Sequence, residues 1–332
     1  MQKHLQAKKK HHYVWAEYLK RWGRGTKDVF WLTKKGKIAR DSVDGIGKDD
    51  FFYKIKPMSD LDMQMIIAMS SACARHLQVQ HTPFLHHFFD FQAVEEAYRL
   101  SGNTNEGMDK LMQAFSCNGM EELHTFHENS VQHVMASLAD ENLAVLDIEK
   151  NWRDFCRYLG QQSLRTKRVR DTYFQAMDIH ASFKPEHIEA SKNTWWLTSF
   201  LLGMNLAESL INERGTTQVS MLINNTSIPF ITSDHPVINV HPSLSNTAYV
   251  QPKHTDFYYP ISPSVGIAIC ETKQFRPGKH LVDELTVIEL NTKMAETAYQ
   301  HVIGDSKEVL DAFKRFVGRD TKKFLEAVPT IF

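Results

Sequence analysis

Apolar and polar positions change rhythm three times along this chain. Near the start, Val29-Phe30-Trp31-Leu32-Thr33 and Ile38-Ala39-Arg40 flank Lys34-Lys35-Gly36-Lys37, which predicts a β-hairpin with glycine in its turn. Phe51-Phe52-Tyr53 and then Lys56-Pro57 close this small module. From Ser59 to about Arg214 the spacing is mainly helical, with Ser59-Asp60 placed to cap a helix starting at Leu61. Thr82-Pro83, Ser101-Gly102-Asn103, Cys117-Asn118-Gly119 and Lys184-Pro185 predict the breaks. Trp152, Phe155, Cys156 and Leu159 form a stripe that predicts one long helix over 146–170. Residues 193–211 are apolar nearly all round, as in a buried core helix. Beyond Gly215 the period falls to two. Strands are predicted over 217–223, 228–232, 237–240, 257–261, 266–270 and 285–290, and helices over 294–302 and 306–317.

This order predicts an α+β fold: an N-terminal β-hairpin, a helical middle, and a C-terminal mainly antiparallel sheet with terminal helices. The hairpin is too small to stand alone, so it is expected to dock on later elements. One interdependent domain over 1–332 follows, with sections 1–57, 58–214 and 215–332.

Composition narrows the class. A chain of 332 residues with 42% hydrophobic and 23% charged residues is that of a folded protein. Cys73, Cys117, Cys156 and Cys270 are scattered and form no C-x-x-C pair, which argues against a zinc ribbon or disulfide framework and predicts a reducing cytoplasm. No apolar run approaches the roughly 18 residues needed to cross a bilayer. The charged start lacks the apolar stretch of a signal peptide, and no membrane partner is expected.

Formal net charge is zero, yet Lys3, Lys8, Lys9, Lys10, Lys20, Arg21, Arg24, Lys27, Lys34, Lys35, Lys37 and Arg40 face only Glu17 and Asp28 in the first forty residues. Such a basic pole suits a polyanion. Within it, Lys10-His11-His12 places two imidazoles beside ammonium groups, which hold a histidine neutral and able to take a proton or bind a metal.

Read together, His11-His12-Tyr13-Val14, Tyr18-Leu19, Phe52-Tyr53, Gln162-Ser163-Leu164-Arg165-Thr166, Ser233-Asp234-His235-Pro236-Val237 and Tyr259-Pro260-Ile261-Ser262-Pro263 resemble a widespread prokaryotic family of domains of unknown function. Its members open with His-His-Tyr-Val-Pro and carry Gln-x-x-Arg-Thr and Ser-Asp-x-Pro motifs. Trp15 and Lys167 stand where that pattern has proline. The resemblance implies the architecture and the meeting of the three polar clusters, and brings no known reaction.

Asp234, at a strand end, suits metal binding or general-base work, or else an Asx-turn. Gln162 and Arg165, three apart on a helix, suit phosphate or carboxylate, or else a solvated basic face. Asp234 with Glu271-Thr272-Lys273 loosely imitates a restriction-type nuclease core holding Mg²⁺. Arg75 with His81, His86-His87 and His124-x-x-His127 are weak ribonuclease-like or metal-ligand patterns. No P-loop, G-x-S-x-G or G-x-G-x-x-G occurs. The expectation is a nucleic-acid-acting enzyme of the phosphodiesterase or nuclease type, serving as a prokaryotic toxin or antiviral effector. His11, His12 and Asp234 are its catalytic candidates, with a divalent metal such as Mg²⁺ as possible cofactor. Lys10, Gln162 and Arg165 are its substrate-binding candidates. The alternatives are a sensor or adaptor for a protein partner from a defence operon, and a hydrolase of a small anionic molecule.

Overall fold

The computed structural model describes residues 6–180 and 182–331; Lys3 of the basic opening lies outside them. The chain starts with β1 (Lys10–His12), α1 (Ala16–Leu19), the hairpin β2 (Asp28–Leu32) and β3 (Ile38–Ser42), and β4 (Lys48–Asp50). β4 returns antiparallel to β1, setting His11 opposite Asp49 and His12 opposite Lys48. The helical middle comprises α2 (Asp60–Ser71), α3 (Arg75–Leu100), α4 (Glu106–Ala139), α5 (Glu149–Leu164), α6 (Lys167–Ile179) and α7 (Pro185–Asn212). The last section holds β5 (Gln218–Asn224), β6 (Thr232–Ser233), β7 (Ile238–Asn239), β8 (Asp256–Ser262), β9 (Val265–Cys270), β10 (Gly278–Val282), α8 (Glu284–Thr297), β11 (Val302–Gly304), α9 (Lys307–Phe313) and α10 (Arg319–Ile331). The fold is mixed α+β.

Two larger sheets tie the ends together. One runs β10-β5-β9-β8-β7, antiparallel except for the β10–β5 pair. The other runs β3-β2-β11-β6, so the N-terminal hairpin joins the sheet of the last section: Ile303 sits opposite Trp31 on one side and Thr232 on the other. The main core passes from Tyr13, Val14 and Trp22, through Trp152, Phe155 and Phe200, to Tyr259, Ile267 and Ile303. One buried apolar cluster thus draws residues from all three sections of the chain.

α5 and α7 approach closely because Gly160 and Gly203 face each other. A Cβ at 160 would collide with the Gly203 carbonyl oxygen, and one at 203 would lie 2.8 Å from the Gln161 amide nitrogen. Ser59 caps α2 as expected, in a reciprocal pair with Asp62.

Several boundaries differ from the sequence reading. The stretch 285–290 is helix, not strand. Asp283 caps it through the Thr286 N–H at 2.9 Å, and Val287, Leu290 and Met294 recur at helical spacing on the buried side while Leu285 points out. Accordingly the helix expected over 294–302 ends at Thr297, and β11 follows. Thr82-Pro83 does not break α3: Pro83 is exposed, so the carbonyl it leaves without a partner is on the solvent side. Cys117-Asn118-Gly119 does not break α4 either. Asn118 is used sideways, accepting from Lys8 N–H at 2.8 Å and donating to Gln6 O at 2.9 Å. The helix expected over 146–170 is two helices, because Thr166 is extended (ψ 156°) and acts as the cap residue of α6. Lys167 is then the first residue of α6, the position where proline is best tolerated.

Candidate functional site

The turn between α5 and α6 separates two polar centres that share the Arg165-Thr166 corner. The first lies under β1. Gln162 donates to the Tyr13 carbonyl at 2.9 Å and accepts from the Arg165 guanidinium at 2.7 Å. Arg165, only 2% exposed, also donates to Glu128 at 2.6 Å, and its backbone carbonyl accepts from the Tyr53 hydroxyl at 2.9 Å. Burial opposes the Arg165 charge, but Glu128 and the Tyr53 and Tyr158 hydroxyls outweigh it and raise its pKa. Burial also lifts the Glu128 carboxyl.

Glu121, His124 and Glu128 lie on one face of α4. Burial brings Glu121 up to about 7. Burial, then Arg165, depresses His124, and both its ring nitrogens are buried with no partner. The His12 backbone N–H reaches Glu121 at 3.4 Å, while His12 Nε2, Glu121 Oε2 and Arg165 Nε are unpartnered. His12 is lowered by burial, then by Lys48 and Arg165. Leaving such atoms dry is costly.

The predicted residues fare differently here. His12, Gln162 and Arg165 lie in one neighbourhood. His11 is fully engaged: its Nδ1 accepts from the Tyr53 N–H at 2.9 Å, so Nε2 carries the proton toward the Lys8 carbonyl at 3.2 Å. Lys10 pairs with Asp50 on the surface, away from the guanidinium. Arg165 faces Glu128 rather than a free anion. The basic pole is also partly neutralised by carboxylates from later in the chain: Lys9 and Lys10 meet Asp50, Arg24 meets Asp305, and Lys27 meets Asp44.

The second centre is built by the Ser-Asp-His-Pro turn. Asp234, fully buried, accepts N–H bonds from Tyr299 and Gln300 at 2.8 Å and from His301 at 3.0 Å. Its carboxylate therefore fixes the chain entering β11 from 65 to 67 residues away, a long-range backbone anchor rather than the local Asx-turn expected. Burial raises its pKa, against His301 and these N–H groups. It also lies near the first centre: burial, then Asp234, raises the Tyr13 hydroxyl. Glu271 follows β9 in the other sheet and binds His254 and the Thr255 N–H, so the nuclease-like pairing with Asp234 does not form. His81 bridges Ser70 and Asn205, a satisfied core histidine. Among the described residues, no three His, Cys, Asp or Glu side chains are placed to hold a metal ion.

His235, beside Asp234, is the residue the sequence reading passed over. Its Nδ1 meets the Thr166 hydroxyl at 2.7 Å. It lines a cavity of about 520 Å³ between α6, α10 and the turns beside β7. Burial, then Arg168, pushes its pKa well down, so the ring is neutral near pH 7. Arg168 and Thr172, four apart on α6, line the same cavity; Arg168 Nε and Thr172 Oγ1 are buried without a hydrogen-bond partner. Leu164, Met177, Tyr249, Phe257 and Phe324 form much of the remaining wall. The signal available in the sequence was the 168/172 spacing beside the Arg-Thr motif and the histidine inside Ser-Asp-x-Pro.

Residues 10–308 match the family described as Protein of unknown function (DUF4238), and the chain belongs to that family. No curated protein and no solved structure matches it. No helix among the described residues is long and apolar enough to cross a membrane.

Proposed function

We propose that this protein is a hydrolase of small anionic esters, phosphodiesters first among them, and that its site is the His235 cavity. The observation that carries the reading is the convergence of His235, Arg168 and Thr172, all with unused polar atoms, on one largely apolar cavity. A volume of about 520 Å³ suits a nucleotide-sized molecule. An apolar or aromatic ring fits the Tyr249–Phe257–Phe324 wall. The ester anion fits Arg168, which makes no ion pair among the described residues, and Thr172 supplies a second donor. A neutral His235, with Nδ1 held by Thr166, presents Nε2 to take a proton from attacking water. The first centre then has a supporting role: Arg165, locked by Glu128 and Gln162, fixes the backbone that sets Thr166 against His235.

The test is hydrolysis of bis(p-nitrophenyl) phosphate. His235→Gln should lower kcat by about 100-fold or more, the usual range for loss of a general base. Arg168→Gln should chiefly raise KM. No hydrolysis by the parent protein, or unchanged kcat in His235→Gln, refutes the assignment.

A further inference from the structure

On the opposite side of α6 from the His235 cavity lies an open cleft of about 330 Å³ that the hydrolase reading does not use. It is lined by Phe51 and Phe52 after β4, by Lys54 and Lys56, by Arg170 and Phe174 of α6, and by Lys192, Trp195 and Trp196 of α7. Asp50 and Asp171 are its only carboxylates. Asp50 is taken up by Lys9 and Lys10, and Asp171 by Arg170. Lys54 and Lys56 make no ion pair among the described residues.

Three observations point to a ligand. Phe51 has φ 52°, a left-handed backbone that a bulky side chain adopts only under constraint, and the residue is 41% exposed. Its N–H is tied to Lys9 O at 2.7 Å and its carbonyl to the Lys54 N–H at 3.1 Å, so the strained geometry is held from both sides. The Trp195 and Trp196 indole nitrogens, on residues 4% and 3% exposed, have no acceptor. Cations already sit over the ring faces: Lys54 Nζ is 5.5 Å from the Phe51 centroid, and the Arg170 guanidinium 4.3 Å from that of Phe52.

We propose that this cleft binds single-stranded nucleic acid, with a base stacked on Phe51 and the backbone phosphates tracked by Lys54, Lys56 and Lys192. An exposed aromatic platform flanked by the unpaired ammonium groups of Lys54 and Lys56, with Lys192 held only loosely by Asp178 at 3.7 Å, is what sequence-tolerant binding of single strands requires. The excess of cations over carboxylates selects a polyanion rather than an apolar peptide. The assignment stands on the cleft alone and does not depend on chemistry in the His235 cavity.

The experiment is fluorescence anisotropy of a labelled 15-nucleotide oligothymidine with the full chain at 50, 100 and 200 mM salt, alongside a duplex of equal length. Binding should favour the single strand and weaken steeply with salt. Phe51→Ala should reduce affinity at least about fivefold, the lower end of a lost base stack, while Phe51→Tyr retains it. Lys54→Gln with Lys56→Gln should flatten the salt dependence. Tryptophan fluorescence should change on titration in the parent protein. Thermal unfolding of each variant confirms that it is folded. No binding at 50 mM salt, equal binding to duplex, or unchanged affinity in folded Phe51→Ala overturns the proposal; the last two would leave the patch to a protein partner or to charge alone.

Discussion

Glu128→Gln tests the link between the two centres most directly. It leaves the Arg165 guanidinium in a site 2% exposed, with Gln162 as its remaining close acceptor. Breaking a buried ion pair from one side costs about 3–5 kcal/mol, because the stranded charge keeps its desolvation penalty. Glu121 lies near enough to feel Arg165 and takes up part of the charge, so the expected loss is about 3 kcal/mol, a large share of a typical domain's stability. Arg165→Met in the same chain removes the stranded cation, and the double variant should recover about 2 kcal/mol relative to additivity. Urea unfolding at pH 7.5, followed by tryptophan fluorescence, gives the four free energies, and similar m-values confirm that the same surface is exposed. Arg165 is followed directly by Thr166, so the His235 imidazole resonances should move in Glu128→Gln although that residue is remote from the cavity. A loss below about 0.5 kcal/mol, or strict additivity in the double variant, refutes a clamp.

Two further outcomes follow from packing and burial. Gly160→Ala should cost about 2–3 kcal/mol in urea unfolding, since its Cβ meets the Gly203 carbonyl and lies 2.9 Å from Ala207 N; parent-like stability would mean the helices separate freely. Burial, then Arg165, depresses His127 from 6.5 to about 4. The unfolded chain therefore takes up this proton near pH 6.5 while the folded one does so only near 4. The stability involved is present above 6.5 and lost as pH falls toward 4. Against His127→Gln, the parent should lose about 2–3 kcal/mol over that window; a pH-independent difference between the two proteins would contradict the burial argument.

Much of this architecture is carried by local signals. Hydrophobic rhythm, the Gly36 turn, the Ser59 cap and the switch at Gly215 are effects within a few residues, and each produced the expected element. The misses have different causes. At Asn118 the N-terminal segment, 110 residues away, uses the side chain that looked like a turn signal; Pro83 is accommodated by solvent on its side of α3; and over 285–290 the helical spacing of Val287, Leu290 and Met294 on the core side outweighs the β-branched run.

The sequence alone determined the α+β order, the position of the basic and aromatic residues, and which short polar motifs to watch. Tertiary structure decided what those groups face. Arg165 and Asp234 read as ligand-binding groups until their partners, Glu128 and the Tyr299–His301 backbone, are seen 37 and about 65 residues away. His235 read as a spacer within a motif until Thr166, 69 residues earlier, fixed its ring beside the cavity. A side chain's chemistry depends on its charge neighbours and its access to water, and for these residues both come from segments remote in the chain.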